Sequence, residues 1–249
     1  MIAGLVWTLA RTDFKTRYQP TVGGFVWALL KPLAMFVVLM AVFSFVFGSD
    51  PAWRFHLIIG LFLWEFFVDA TKTGLVSLHV KAYLVNKAKV PAFILVATSV
   101  SNALVTLAVF CLVITVFLAA AGRMPGPGAL LLFVLYLVQY VVIAIGFSLG
   151  ASVLFLRYRD LNQVWDVATQ AGFFVAPIVY PLSIIPERYH LLLYLWPPTA
   201  VIQFARAVLV DGTIPTVTAH ACLALETATV LLIGLVVYRR LAPRAAEYL

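Results

Sequence analysis

The sequence predicts an all-α integral membrane protein: six transmembrane helices, an N-terminal cytoplasmic interfacial helix, and two short external re-entrant helices between spans five and six. Three observations predict this. Hydrophobic residues make up 64% of the 249-residue chain and charged ones only 11%, with a mean hydropathy of +1.05; a soluble domain of this length needs a far larger charged surface. Several apolar runs reach the ~20 residues a helical span requires, without the period-2 alternation of a barrel strand. The basic residues fall mainly in alternate connectors, as in a multi-pass protein with a fixed orientation.

The chain reads as one transmembrane domain over 1–249, opening with the interfacial helix at 1–20. On a helix, Thr8, Arg11, Thr12, Lys15 and Gln19 fall on one stripe, and Trp7, Ala10, Phe14 and Tyr18 on another. That pattern describes a helix lying along the cytoplasmic membrane surface, its cations reaching headgroups. Its apolar start precedes Arg11, Lys15 and Arg17, the reverse of the charge order in a cleavable signal. Pro20, Gly23 and Gly24 then permit a sharp elbow into the first span. Read alone, the segment is either a plain anchor or a moving part.

Apolar runs place the spans at 22–47, 55–73, 91–121, 129–155, 162–182 and 215–238. Six crossings leave both termini on one side. That side holds Arg11, Lys15, Arg17, Lys72, Lys81, Lys87, Lys89, Arg157, Arg159, Arg239, Arg240 and Arg244, against Arg54, Arg123, Arg188 and Arg206 opposite. The richer side is cytoplasmic by the positive-inside rule. The turns at 48–54 and 122–128 are short and carry Gly and Pro, as tight external turns do. The connector at 74–90 has helical spacing and three lysines, and the one at 157–166 is short and polar. The external stretch 183–213 is apolar but broken by Pro186, Pro197 and Pro198. It is too interrupted to cross twice, so two short re-entrant helices hinged at Pro197-Pro198 are expected.

Several chemistries have no motif here. The sequence holds no GxxxxGK[ST] loop, HExxH, GxSxG or CxxC, so no ATP site of the P-loop kind, no metal site and no catalytic residue is expected. Cys111 and Cys222 both lie in apolar runs and read as packing residues. The net charge of +7 is spread over short connectors, which argues against a nucleic-acid partner.

The intramembrane ionisable residues are few: Lys31, Glu65, Asp69, Lys72 and Glu226, with His220 near the outer end of the last span. Glu65, Asp69 and Lys72 share one helical face, so Asp69 and Lys72 can neutralise each other; a proton-coupled transporter would instead use Glu65 or Glu226 as a relay. Lys31 sits roughly 10 Å past Gly24 along a helix and either snorkels to the cytoplasmic interface or faces a polar path. Aromatic residues, with Phe36, Phe43, Trp165, Phe173 and Tyr180 at related helical positions, read as packing or as a surface on which sugar rings stack.

The order of motifs resembles a known family. “RTDFKTRYQPTVGGFVWALLKPLAMFVVLMAVFSFVFG” at 11–48, “NKAKVPAF” at 86–93, “FLRYRDLNQVWDVATQAGFFVAPIVYPLSIIP” at 155–186 and “LWPPTAVIQFARAVLVDG” at 195–212 are similar, in order, to segments of polysaccharide-exporting ABC-2-type permeases. Gln19-Pro20, Gly23, Lys31 and Pro197 depart from the family pattern. The resemblance implies a homodimer in the bacterial cytoplasmic (inner) membrane, paired with a separate P-loop ATPase that binds the ATP and Mg, this chain holding no cofactor. It implies export of a lipid-linked glycan such as O-antigen, teichoic acid or capsule. Lys81, Lys87, Lys89, Arg157, Arg159 and Asp160 would couple to the ATPase. Arg11, Asp13, Lys15, Arg17 and Tyr18 would form a gate helix, and Trp27, Lys31, Phe36, Phe43, Trp165, Phe173 and Tyr180 would line the substrate path. Rival readings are an ABC-2 drug or lipid exporter, a proton-coupled secondary transporter, and a membrane-embedded glycosyltransferase.

Overall fold

The computed structural model describes residues 2–18, 23–48, 50–84 and 90–245, and the regular structure among them is entirely helical. Helix α1 (Ile2–Tyr18) packs on α4. The hydroxyls of Thr8, Thr12 and Thr16 each donate to the carbonyl four residues back, at 2.9 Å. The polar stripe of α1 therefore needs no outside acceptor for these groups. An elbow over 23–25 follows, with Gly24 in the left-handed region at φ 46°, which a residue with a Cβ adopts only at a cost.

Helix α2 (Val26–Phe47) is apolar almost all round but buries only Pro32, Phe36 and Leu39. That narrow stripe packs on α3 and α4, and the rest of the helix, including Phe45 at 93% exposure, is uncovered within the protomer. Helix α3 (Trp53–Val80) starts on a turn in which the Ala52 amide donates to the Asp50 carboxylate. It is the central post: Leu57, Ile59, Phe62 and Leu63 are completely buried, with α4, α5 and α8 packed around it. It continues helical through Leu75 and Leu78, both buried. The expected connector 74–90 therefore begins inside α3, because these leucines extend its apolar stripe; residues 85–89 lie outside the described set.

Helix α4 (Ala92–Ala120) follows Pro91, and α5 (Pro127–Arg157) opens with proline in its first turn, where a missing N–H costs nothing. The last helix, α9 (Val217–Ala245), lies against α5 along its length. Their closest approach is Gly146 against Gly234, where a Cβ built on Gly234 would lie 1.8 Å from the Gly146 carbonyl oxygen. Small residues admit this backbone contact, the usual way membrane helices approach closely.

Helix α6 (Leu161–Val175) is shorter than the expected span 162–182. Pro177 lacks an amide and biases Ala176 out of the helical region, and Ala176 is extended at ψ 121°. The chain then runs through buried Ala176, Ile178 and Val179 to two short 3₁₀ turns, Leu182–Ile184 and Glu187–Tyr189. Helices α7 (His190–Tyr194) and α8 (Pro197–Arg206) follow, and a π-turn at Ala207–Asp211 leads towards α9. The segments Glu187–Tyr194 and Pro197–Asp211 meet at 112°, the break falling at Leu195-Trp196, just before the two prolines that open α8. Helices α2, α4, α5 and α9 are each long and apolar enough to cross a bilayer, and the bent pair makes a fifth if taken as one span.

Candidate transport site

Lys81 ends α3 and turns inward. Its ammonium is buried and donates to the Asp13 carboxylate of α1, to Thr98 Oγ1 at 3.1 Å and to the Leu95 carbonyl at 3.4 Å. Burial pushes the Lys81 pKa below its ordinary value, and the hydrogen bond it donates to Asp13 opposes that shift. Lys81 therefore fastens α1 to α3 and α4 and is not presented at the surface, as a docking residue would be. Lys87 and Lys89 lie outside the described residues. Arg157, Arg159 and Asp160 are exposed, with the Arg157 guanidinium 5.3 Å from the Tyr158 ring and that of Arg159 5.3 Å from the Phe155 ring. On α1, Arg11 and Lys15 are exposed and Asp13 is half-buried; the side chains of Arg17 and Tyr18 lie outside the described set.

Lys81→Ala is expected to release α1. Amide exchange in α1 should rise about tenfold or more, the loss of at least one charge-assisted hydrogen bond, while exchange in the centre of α5 stays unchanged. Hydrogen exchange read by mass spectrometry on the purified protein checks this.

Helix α3 carries a charged stripe that α2 and α6 both meet. Lys31 Nζ of α2 lies 3.8 Å from Glu65 Oε2. Lys72 Nζ donates to Asp166 Oδ1 of α6 at 2.6 Å, reaching across to another helix where spacing along α3 alone pointed to Asp69. Next to Asp166, the Trp165 indole donates to Thr71 Oγ1 at 3.0 Å, and that hydroxyl donates to the Phe67 carbonyl at 2.6 Å. Glu226, the other relay candidate, lies apart on α9. It borders an apolar groove of about 680 Å³ between α9 and the bent α7–α8 segment.

Lys31 is 78% exposed within the protomer. An ammonium facing lipid tails costs about 3 kcal/mol on insertion scales, so its surroundings must be polar. Phe47 and Trp53 have ring centroids 5.9 Å apart, which sets the C-terminal end of α2 level with the start of α3. At 1.5 Å per residue, Lys31 lies about 24 Å below that level and Glu65 about 18 Å. The Lys31 ammonium is turned towards Glu65, which lies nearer the middle of the helix pair.

The expected path residues divide. Trp27, one turn before Lys31 on α2, is 60% exposed. Phe36 belongs to the core, edge-on to Phe117 at 5.8 Å; it is a packing residue, because α2 buries precisely the stripe that carries it. Phe43 is half-buried and stacked with Phe47 at 6.2 Å. Trp165 stacks on Phe147 at 4.0 Å, and Phe173 meets Trp64 edge-on at 6.1 Å. The Tyr180 hydroxyl donates to the Phe174 carbonyl at 2.5 Å.

Arg206 organises the end of the bundle that holds the extended segment after α6. Its buried guanidinium donates to the carbonyls of His56 at 2.9 Å, Pro177 at 2.6 Å and Ile178 at 2.7 Å. The Trp53 indole donates to the Val179 carbonyl at 2.8 Å. These donors satisfy the extended segment after α6, where non-helical backbone at membrane depth needs partners. Beside them His56 Nε2 pairs with Asp211 Oδ1 at 2.8 Å. Sequence reasoning missed Arg206, Asp166 and the partnership of Asp13 with Lys81. The available signal was that a cation in a membrane run needs a partner on some neighbouring helix. Among the described residues no three His, Cys, Asp or Glu side chains gather to hold a metal ion.

Residues 4–210 match the model of the ABC-2 type transporter membrane family. The chain belongs to that family. Relatives of this ABC-2 chain run nearly end to end. The O-antigen export system permease protein RfbA of Klebsiella pneumoniae is 25% identical over 247 residues, covering 98% of this chain and 95% of the relative. RfbA of Myxococcus xanthus is 26% identical over 234 residues, covering 92% and 88%. The polysialic acid transport protein KpsM of Escherichia coli is 25% identical over 232 residues, covering 91% and 89%. The chain is thus a multi-pass transport protein, and the ionic and aromatic contacts of α2, α3 and α6 belong to its membrane domain.

Proposed function

We propose that this chain is the membrane half of an ATP-driven exporter of a lipid-linked polysaccharide across the bacterial cytoplasmic membrane. The observation that carries this reading is the near full-length similarity to relatives named for O-antigen export and polysialic acid transport. The lack of a P-loop in the sequence agrees with it, since ATP and Mg then bind to a separate ATPase subunit. The glycan is of the O-antigen, capsule or teichoic acid kind.

In this reading α2, α3, α4, α5, α6 with its extended continuation, and α9 make six crossings. Both termini are cytoplasmic, by the distribution of Lys and Arg. The bent external segment re-enters the outer leaflet and does not cross. Two copies pair, and the apolar faces that α2 and α6 leave uncovered, with Val37, Phe45, Val167 and Phe174 exposed, support a path enclosed between protomers. Trp27, Lys31, Phe43, Trp165, Phe173 and Tyr180 contribute to that path. The ATPase docks on the connector carrying Lys87 and Lys89 and on Arg157, Arg159 and Asp160, with α1 as the gate helix.

Export is expected to require ATP. In cells that lack their own exporter and express this chain with its ATPase, surface glycan should fall to background on ATP depletion and persist when only the proton gradient is collapsed. Labelling of surface polysaccharide reads both arms. Export that survives ATP depletion but fails with the gradient overturns the proposal.

A further inference from the structure

The two lysines on the charged stripe are held differently. Lys72 has a short bond to Asp166 and is less exposed, at 46%. Lys31 stands 3.8 Å from Glu65, too far for a hydrogen bond, and most of its side chain is open. An ammonium carries three donors. Glu65 fixes the position of Lys31 electrostatically and leaves those donors available to a second acceptor. Trp27, four residues earlier and exposed, is on the same side of α2, since residues four apart on a helix are neighbours. The pair combines a flat ring on which a sugar can stack with a cation for an anionic group.

We infer that Lys31 is a cargo contact that recognises anionic groups, carboxylate or phosphate, on the travelling glycan or its lipid anchor. This rests on the exporter reading above. Lys31 makes the contact and Glu65 is a positioning residue that holds the ammonium at its depth. Lys72 is already hydrogen-bonded to Asp166 of α6 and is the less exposed of the two, so Lys31 is the cation more open to cargo here.

The test uses the permease with its ATPase in proteoliposomes, measuring ATPase stimulation by two synthetic oligosaccharides on the same lipid phosphate anchor, one with carboxylated sugars and one neutral. Lys31→Gln is expected to raise the half-stimulating concentration of the acidic compound about tenfold, as for loss of one charge-assisted hydrogen bond, and Lys31→Arg should restore it. Selective loss with the acidic compound assigns the contact to the sugar chain; equal loss with both, rescued by Lys31→Arg, assigns it to the anchor phosphate. The inference is overturned if Lys31→Gln changes neither response, or if Lys31→Arg fails as Lys31→Gln does. It is also overturned if Glu65→Gln reproduces the whole effect, since Lys31 would then be only half of a latch between α2 and α3. If neither compound stimulates the unaltered complex, the exporter reading itself is overturned.

Discussion

Arg206→Ala is expected to unfasten the extended segment after α6 and lower the thermal unfolding midpoint in detergent more than any surface substitution. The guanidinium donates to three carbonyls from two separate parts of the chain, those of His56, Pro177 and Ile178. Alanine leaves all three buried acceptors without this donor. Removing one partner of a buried charged network costs on the order of 3 kcal/mol. Arg206→Lys should recover less than half of this, because a lysine offers its donors from one nitrogen and cannot span acceptors that the planar fork reaches together. The unfolding midpoint, measured by fluorescence, checks both variants. An Arg206→Ala midpoint equal to that of the unaltered protein would show that the extended segment finds its partners elsewhere.

Gly234→Leu should have an effect of similar size by a different route. The first atom of any side chain at 234 would lie 1.8 Å from the Gly146 carbonyl oxygen. Backbone cannot give way as a side-chain tip can, so α9 must separate from α5. The cost is about 1–3 kcal/mol for overpacking, increased by the lost contact along a long helix pair. Gly234→Ala should already show part of the effect, which a purely volume-based account of leucine would not require. Size-exclusion recovery and the unfolding midpoint of both variants provide the measurement.

The sequence disclosed the apolar helices because a run of about 20 hydrophobic residues has few alternatives in a membrane protein. A hinge at Pro197-Pro198 is expected for an equally local reason, the missing proline amides, and the bend falls just before them. Partners from across the chain were not legible. Helix α6 ends at Val175 and not near residue 182 because Pro177 draws Ala176 out of the helix, and the carbonyls beyond it then depend on Arg206, 28 residues from Ile178. Lys72 finds Asp166 across 94 residues, a distance no helical spacing encodes. On α2 the apolar composition is so uniform that nothing local separates Phe36, which packs inward, from Trp27, which does not. The site followed the same rule: residue types were readable, and their partners were not.

Lys81 gives two parts of the machine one bearing. It stands where α3 stops, so whatever moves the connector beyond it also moves the ammonium that grips Asp13. A displacement of the end of α3 is therefore carried to α1 through the Lys81–Asp13 contact. In the proposed exporter, with the ATPase docked on the connector that follows, that contact would turn the two as one crank.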